Sequence, residues 1–175
     1  MLQPGHRERH GMNFWHKTIR NHGLEHATIS LLMQEFKLRG PMAGYSIPRG
    51  FFILGNATLD QIEKSTSLAL TQFQEGEKGL AISPYCGTNI LTSATLATIA
   101  SLAGYKLSGG GLKGFNQAVS AVTFSLIASQ PIGKILQKRF TTSSDMANLR
   151  LGTIKQYHFG PLKVHWVSTT IISDH

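Results

Sequence analysis

At 175 residues the chain has room for one modest domain and a small appendage. Its 17 Lys and Arg against 9 acidic residues give a formal net charge of +8, which suits nucleic acid, an anionic membrane surface or loops flanking membrane segments. The basic residues stand almost singly, with no run longer than Lys138-Arg139 and no aromatic–basic recognition motif, which argues against nucleic acid. A lone cysteine, Cys86, excludes an intrachain disulfide and fits a thiol kept reduced or used as a ligand.

The opening residues, MLQPGHRERHG, are polar with no apolar run behind them, so no cleavable secretory signal is expected. His6, His10 and His16 read as an irregular N-terminal region. From about residue 13 to 36, apolar side chains recur at Phe14, Ile19, Leu24, Ile29, Leu32 and Phe36, the pattern of a long amphipathic helix. Gly40-Pro41 follows and ends it. Two short strands are expected at 45–47 and 51–54, joined by Pro48-Arg49-Gly50. A second helix is expected over 59–74, with Thr58 as N-cap, Gln61 completing a capping box, and Leu59, Ile62, Ala69, Leu70 and Phe73 on the apolar face.

Next come two charge-free stretches, 27 residues between Lys78 and Lys106 and 20 between Lys113 and Lys134. A membrane helix needs about 20 mostly apolar residues, so spans are expected at about 88–105 and 115–137. Both are rich in Ala, Ser, Thr and Gly, which lets two helices approach closely; mean hydropathy over the chain is only −0.06, so a pair of buried helices in a soluble domain is the alternative. The connector carries Lys106, Lys113 and the Gly109-Gly110-Gly111 turn, whereas Lys78, Lys134, Lys138, Arg139 and Arg150 flank the spans. That bias favours both termini in the cytoplasm and the glycine turn outside. Beyond the spans, 149–156 and 162–171 read as strands around a turn at 158–161, able to join the early strands in a small mixed sheet. The expected fold class is therefore α+β: residues 1–87 and 138–175 form a small mixed α/β cytoplasmic unit, and 88–137 an inserted two-helix transmembrane hairpin.

Chemistry concentrates in the first helix. His22 and His26 are four residues apart, so their imidazoles project from one face a turn apart, as zinc requires of two nitrogen ligands from one helix. Glu25 borders that face. The order His-x-x-Glu-His is the inverted form of the zincin motif, in which the glutamate is general base toward water activated by the metal. Solvated His and Glu on a surface helix is the plainer alternative. Gly23 is unusual inside a helix, since glycine there costs about 1 kcal/mol against alanine; it would let another element approach the histidine face. Two ligands do not hold zinc. Cys86, in Pro84-Tyr85-Cys86-Gly87-Thr88-Asn89, is a candidate third ligand, or else a small buried apolar residue. Asp145, in Thr141-Thr142-Ser143-Ser144-Asp145, is the other candidate, or else a turn or capping aspartate. His158 and His165, on expected strands, are weaker.

His-Gly-Leu-Glu-His-Ala-Thr at 22–28, Pro-Arg-Gly-Phe-Phe at 48–52, Cys-Gly-Thr-Asn at 86–89 and Thr-Thr-Ser-Ser-Asp at 141–145 together resemble a family of bacterial membrane proteins that is a domain of unknown function. That family is similar in turn to a second membrane family of unknown function with a His-Gly-x-Glu-His helix, a Cys-Gly-Thr turn before its spans and Thr-Thr after them. The resemblance covers about residues 18–150. It implies that His22, Glu25, His26, Cys86 and 141–145 converge on one site at the cytoplasmic membrane boundary, and it supplies no activity. The similarity to inverzincin metallopeptidases is confined to the five-residue motif. Their third ligand is a downstream glutamate, and no glutamate follows Glu77 here.

Three functions are compatible with these features. In a membrane-anchored zinc hydrolase of peptidase-like type, His22, His26 and Cys86 hold the metal, Glu25 is the base, and Asp145 orients a ligand or replaces one. In a non-catalytic membrane subunit of a larger complex, the same cluster holds a structural metal or forms a polar staple. Histidine ligation of haem or a pigment is weaker, because the pair lies outside both spans and no haem-attachment motif is present. The expected partners are the lipid bilayer and proteins of a membrane complex, with no nucleic acid.

Overall fold

The computed structural model describes residues 6–84 and 86–172, with side chains from residue 14 onward. In order they form α1 (His6–Glu35), β1 (Ala43–Ile47), β2 (Gly50–Leu54), α2 (Leu59–Gln74), a 3₁₀ turn (Lys78–Ala81), α3 (Gly87–Leu107), α4 (Gly111–Leu136), a π turn (Gln137–Thr141), β3 (Leu149–Phe159) and β4 (Leu162–Ile171). The chain divides into two compact units. One comprises the residues up to Ser83 and those from Thr141 on; the other is Pro84–Phe140.

In the first unit α1 and α2 pack together and α1 lies on β1 and β2. The core holds Leu24, Ala27, Leu31 and Leu32 of α1, Ile62, Ala69, Leu70 and Phe73 of α2, Phe51 and Ile53 of β2, and Val167 of β4. α2 starts where its capping box dictates: the Thr58 hydroxyl accepts the Gln61 N–H, and the Gln61 side chain accepts the Thr58 N–H, satisfying two of the donors every helix start leaves orphaned. The apolar face of α1 runs from Leu24 to Leu32, whereas Phe14, which the periodicity includes in it, is 61% exposed.

The sheet order is β1-β2-β4-β3 with every neighbouring pair antiparallel, so the sheet is not mixed. Two hairpins, β1–β2 and β3–β4, meet through their second strands, and no strand is reached by the crossover that parallel pairing needs. The N-terminal histidines are also not in an irregular region, because α1 begins at His6 and runs through His10 and His16. Residues 6–13 carry no apolar repeat to announce a helix, yet Arg7, Glu8 and Arg9 are good helix formers and extend one already nucleated.

The second unit is a helical hairpin. Gly109, Gly110 and Gly111 all take positive φ (78°, 74° and 64°), which three consecutive residues bearing Cβ could not do without strain. Close approach rests on small and polar residues. A Cβ on Gly104 would stand 3.1 Å from the Ala118 Cα, the Ser93 and Ser129 hydroxyls are 2.7 Å apart, and Gln137 Nε2 donates to Asn89 Oδ1 at 2.8 Å. Large apolar residues face outward instead: Ile90, Leu91, Leu102, Leu112, Phe124 and Ile127 are each more than two-thirds exposed. Both helices are long and apolar enough to cross a membrane, and the apolar windows are 0% buried in α3 and 11% in α4.

Candidate metal centre

On α1, His22 and His26 stack edge to face, ring centroids 4.3 Å apart at 62°, as the four-residue spacing requires. Each Nδ1 faces a backbone carbonyl. His22 Nδ1–H donates to Thr141 O at 2.7 Å, and His26 Nδ1–H to Ala81 O at 2.8 Å. A carbonyl only accepts, so both neutral rings carry their proton on Nδ1 and a lone pair on Nε2. This backbone-oriented tautomer is the usual arrangement of metal-binding histidines. His26 is 3% exposed, and its Nε2 is buried with no hydrogen-bond partner. An unmet buried acceptor costs about 1–3 kcal/mol, and a cation would remove that penalty.

His22, His26 and Cys86 form a group able to hold a metal ion, since one ligand atom from each lies within 4.8 Å of the other two. Cys86 is the N-cap of α3, its sulfur accepting the Thr88 N–H at 3.3 Å, and it is buried. Two imidazoles and a thiolate are a donor set that zinc accepts readily.

The scaffold explains the glycine in the motif. A Cβ on Gly23 would fall on the Ser143 carbonyl oxygen and 3.2 Å from its carbon. Without one, the segment after Thr141 lies flat against α1, where Ser143 N–H donates to Ile19 O at 2.9 Å. Arg20 then holds Asp145 twice, through Nε to its carbonyl and through Nη2 to Oδ2 at 3.1 Å. Asp145 Oδ1 also accepts the Ala147 N–H at 3.4 Å, the contact of a turn aspartate. Asp145 stands outside the ligand group, its side chain 71% exposed, and lines a cleft of about 600 Å³ with Phe73, Lys78 and Arg150.

Glu25 is also outside the group. It is 4% exposed, and its carboxylate is turned to β1: Oε2 accepts the Ser46 hydroxyl at 2.5 Å, while Oε1 occupies the space that a Cβ on Gly44 would need. Asn21, which the sequence reading passed over, locks the same corner. Its amide donates to Ile47 O and its carbonyl accepts from Thr169 Oγ1, both at 2.7 Å. An amide three residues before Leu24, in step with the apolar stripe of α1, is the sequence signal that could have drawn attention to it. His158 and His165 are not ligands in the group: His165 is buried on β4 and donates Nε2–H to Gln156 Oε1 at 3.0 Å, and Gln156 Nε2 donates to His158. Burial, chiefly, pushes the His165 pKa below the ordinary histidine value, with Lys163 and His158 adding to the effect and a backbone bond at Ile53 opposing it.

The histidine motif of α1, the cysteine turn and the 141–145 segment all fall within residues 17–154, which match the domain of unknown function DUF6391. The chain belongs to the DUF6391 family. A relative from Picosynechococcus sp., described only as an uncharacterized protein, is 34% identical over 148 residues, 77% of this chain and 70% of its own length. No solved structure matches. His22, His26 and Cys86 all lie inside the DUF6391 match.

Proposed function

We propose that this DUF6391 protein is a membrane-anchored metalloprotein in which His22 Nε2, His26 Nε2 and Cys86 Sγ bind zinc, and that the centre is hydrolytic, with peptide-like substrates. The observation that carries the reading is the pair of Nδ1–H···O=C bonds that leaves two lone pairs, one of them buried and unpartnered, in a group completed by a thiol. Three protein ligands leave a coordination position open, as in catalytic rather than structural zinc sites. Zinc, when bound, supplies Lewis-acid activation of water and of a carbonyl group. The chain supplies orientation through the two carbonyl-anchored rings, and a proton acceptor in the Glu25 carboxylate, which reaches a substrate only by leaving Ser46. The exposed apolar surface of α3 and α4 supports insertion of the hairpin in a bilayer, and the lysine and arginine bias supports termini in the cytoplasm, where Cys86 stays reduced.

A second reading, a non-catalytic subunit with a structural metal, is favoured by the seat of Glu25, both of whose oxygens face β1. One set of measurements separates the two. Membrane protein purified in detergent is analysed for metal by mass spectrometry and for peptide hydrolysis. About one zinc per chain is expected, lost in His22→Ala, His26→Ala and Cys86→Ala. Turnover that disappears in Glu25→Gln with zinc retained establishes the hydrolase. Zinc without turnover leaves the structural reading, and no zinc in the wild type refutes both.

A further inference from the structure

The hairpin carries a groove of about 580 Å³ lined by Asn89, Ile90, Ser93 and Ala94 of α3 and Gln130 and Lys134 of α4. Its lining has two characters. Ile90 and Ala94 give an apolar wall, while Lys134 contributes an ammonium and Asn89 and Gln130 contribute amides at the end of the hairpin where the chain enters and leaves. Charge in this unit is one-sided. Residues 84–140 contain Lys106, Lys113, Lys134, Lys138 and Arg139 and no Asp or Glu, and three of those five lie at the groove's end. From 84 to 140, therefore, no carboxylate is present to neutralise Lys134. A basic, hydrogen-bonding head beside an apolar wall, on helices whose outer surfaces are bare hydrocarbon, matches an amphiphile with an anionic head.

We propose that this groove binds an anionic phospholipid. The headgroup phosphate lies against the Lys134 Nζ and the Gln130 amide, and the first part of an acyl chain follows Ile90 and Ala94. The volume is in the range of small-molecule sites, about 300–1,000 Å³, so it takes the head and upper chain and leaves the rest of the lipid in the bilayer. Basic pockets between membrane helices bind anionic heads in this way. The inference rests on membrane insertion of the hairpin.

The test uses the full chain in nanodiscs of mixed phosphatidylcholine and phosphatidylglycerol, followed by native mass spectrometry of the released protein. Wild type should retain phosphatidylglycerol over phosphatidylcholine beyond their ratio in the disc. Lys134→Gln should reduce that preference about fivefold, the effect of one basic residue near a membrane surface. Lys106→Gln, at the far end of the hairpin, should preserve it. Ala94→Trp, which fills the apolar wall, should lower adducts of both lipids and so show that the groove is the location. Glycerol phosphate added in excess should not displace the lipid. Equal retention of the two lipids by wild type, equal preference in wild type and Lys134→Gln, or displacement by free glycerol phosphate would overturn the proposal. Alkaline carbonate extraction of the same preparation reports separately on the membrane reading: release into the soluble fraction refutes insertion itself, whereas an integral protein without lipid preference refutes only the groove.

Discussion

Replacing Gly23 by alanine sets two effects of opposite sign against each other. In an ordinary helix interior the change stabilises by about 1 kcal/mol, because glycine loses more backbone entropy on ordering. Here the new methyl falls on the Ser143 carbonyl oxygen and comes 3.2 Å from its carbon and 3.4 Å from the Met146 side chain. The nearest obstacle is backbone, which cannot swing aside like a side chain. Relief requires the segment from Thr141 to Asp145 to lift from α1. Overpacking of this kind costs about 1–3 kcal/mol, and lifting also weakens the Ser143–Ile19 backbone bond, worth about 1 kcal/mol. Subtracting the helix gain leaves a net loss of about 1–3 kcal/mol. At about 4 °C per kcal/mol for a unit of this size, thermal unfolding in detergent should fall by about 4–12 °C. The second consequence is chemical. Thr141 O would move away from His22 Nδ1, releasing that ring, and loss of such an orienting bond typically lowers metal affinity about 10–100-fold; competition with a chromophoric chelator measures it. A Gly23→Ala protein that melts higher than wild type would show that helix propensity, not the approach of Ser143, governs the position, and the account of the scaffold would be wrong.

Gly44→Ala should be harmful for a different reason, since its methyl would take the place of the Glu25 carboxylate and break the bond to Ser46; a loss of about 2–4 kcal/mol is expected, read by denaturant unfolding, and a near-neutral result would show that Glu25 is not seated on β1. His165, whose folded pKa is lowered mainly by burial, binds a proton less readily folded than unfolded. The stability it contributes is therefore present above about pH 6.5 and is lost as the pH falls below it. His165→Gln should flatten the fall of the unfolding midpoint as the pH drops below about 6.5, and an unchanged acid dependence would assign that fall to other groups.

Local signals in the sequence carried most of the fold. Thr58 and Gln61 fix the start of α2 because a capping box uses only neighbouring residues. The charge-free stretches anticipate α3 and α4, and three glycines mark the turn where three positive φ angles are needed. Strand pairing was less legible, because alternation says which face a residue takes and not which strand lies beside it. β3 shows a further limit: the register irregularity between Leu151 and Ile154 breaks the alternation of its first half. At the candidate metal centre, the helix spacing of His22 and His26 and the isolated Cys86 pointed to the group that could hold an ion. The partners of their Nδ1 atoms could not be read, since Ala81 and Thr141 contribute backbone oxygens that any residue would offer. The pairing of Asp145 with Arg20 was not legible because the two lie 125 residues apart.

Those two backbone oxygens lie at opposite ends of an excursion. Ala81 comes just before the chain departs for the hairpin and Thr141 just after it returns, and both are fastened to one helix turn through His26 and His22. The 59 residues from 82 to 140 thus form a loop cinched at its base. A doubling of loop length adds only about 0.6 kcal/mol of closure entropy, so the scaffold around the histidines is nearly indifferent to how long that loop is. The architecture is modular in the engineering sense: the helix and sheet that carry the two imidazoles set little limit on the length of the hairpin, provided that Cys86 at its base is kept.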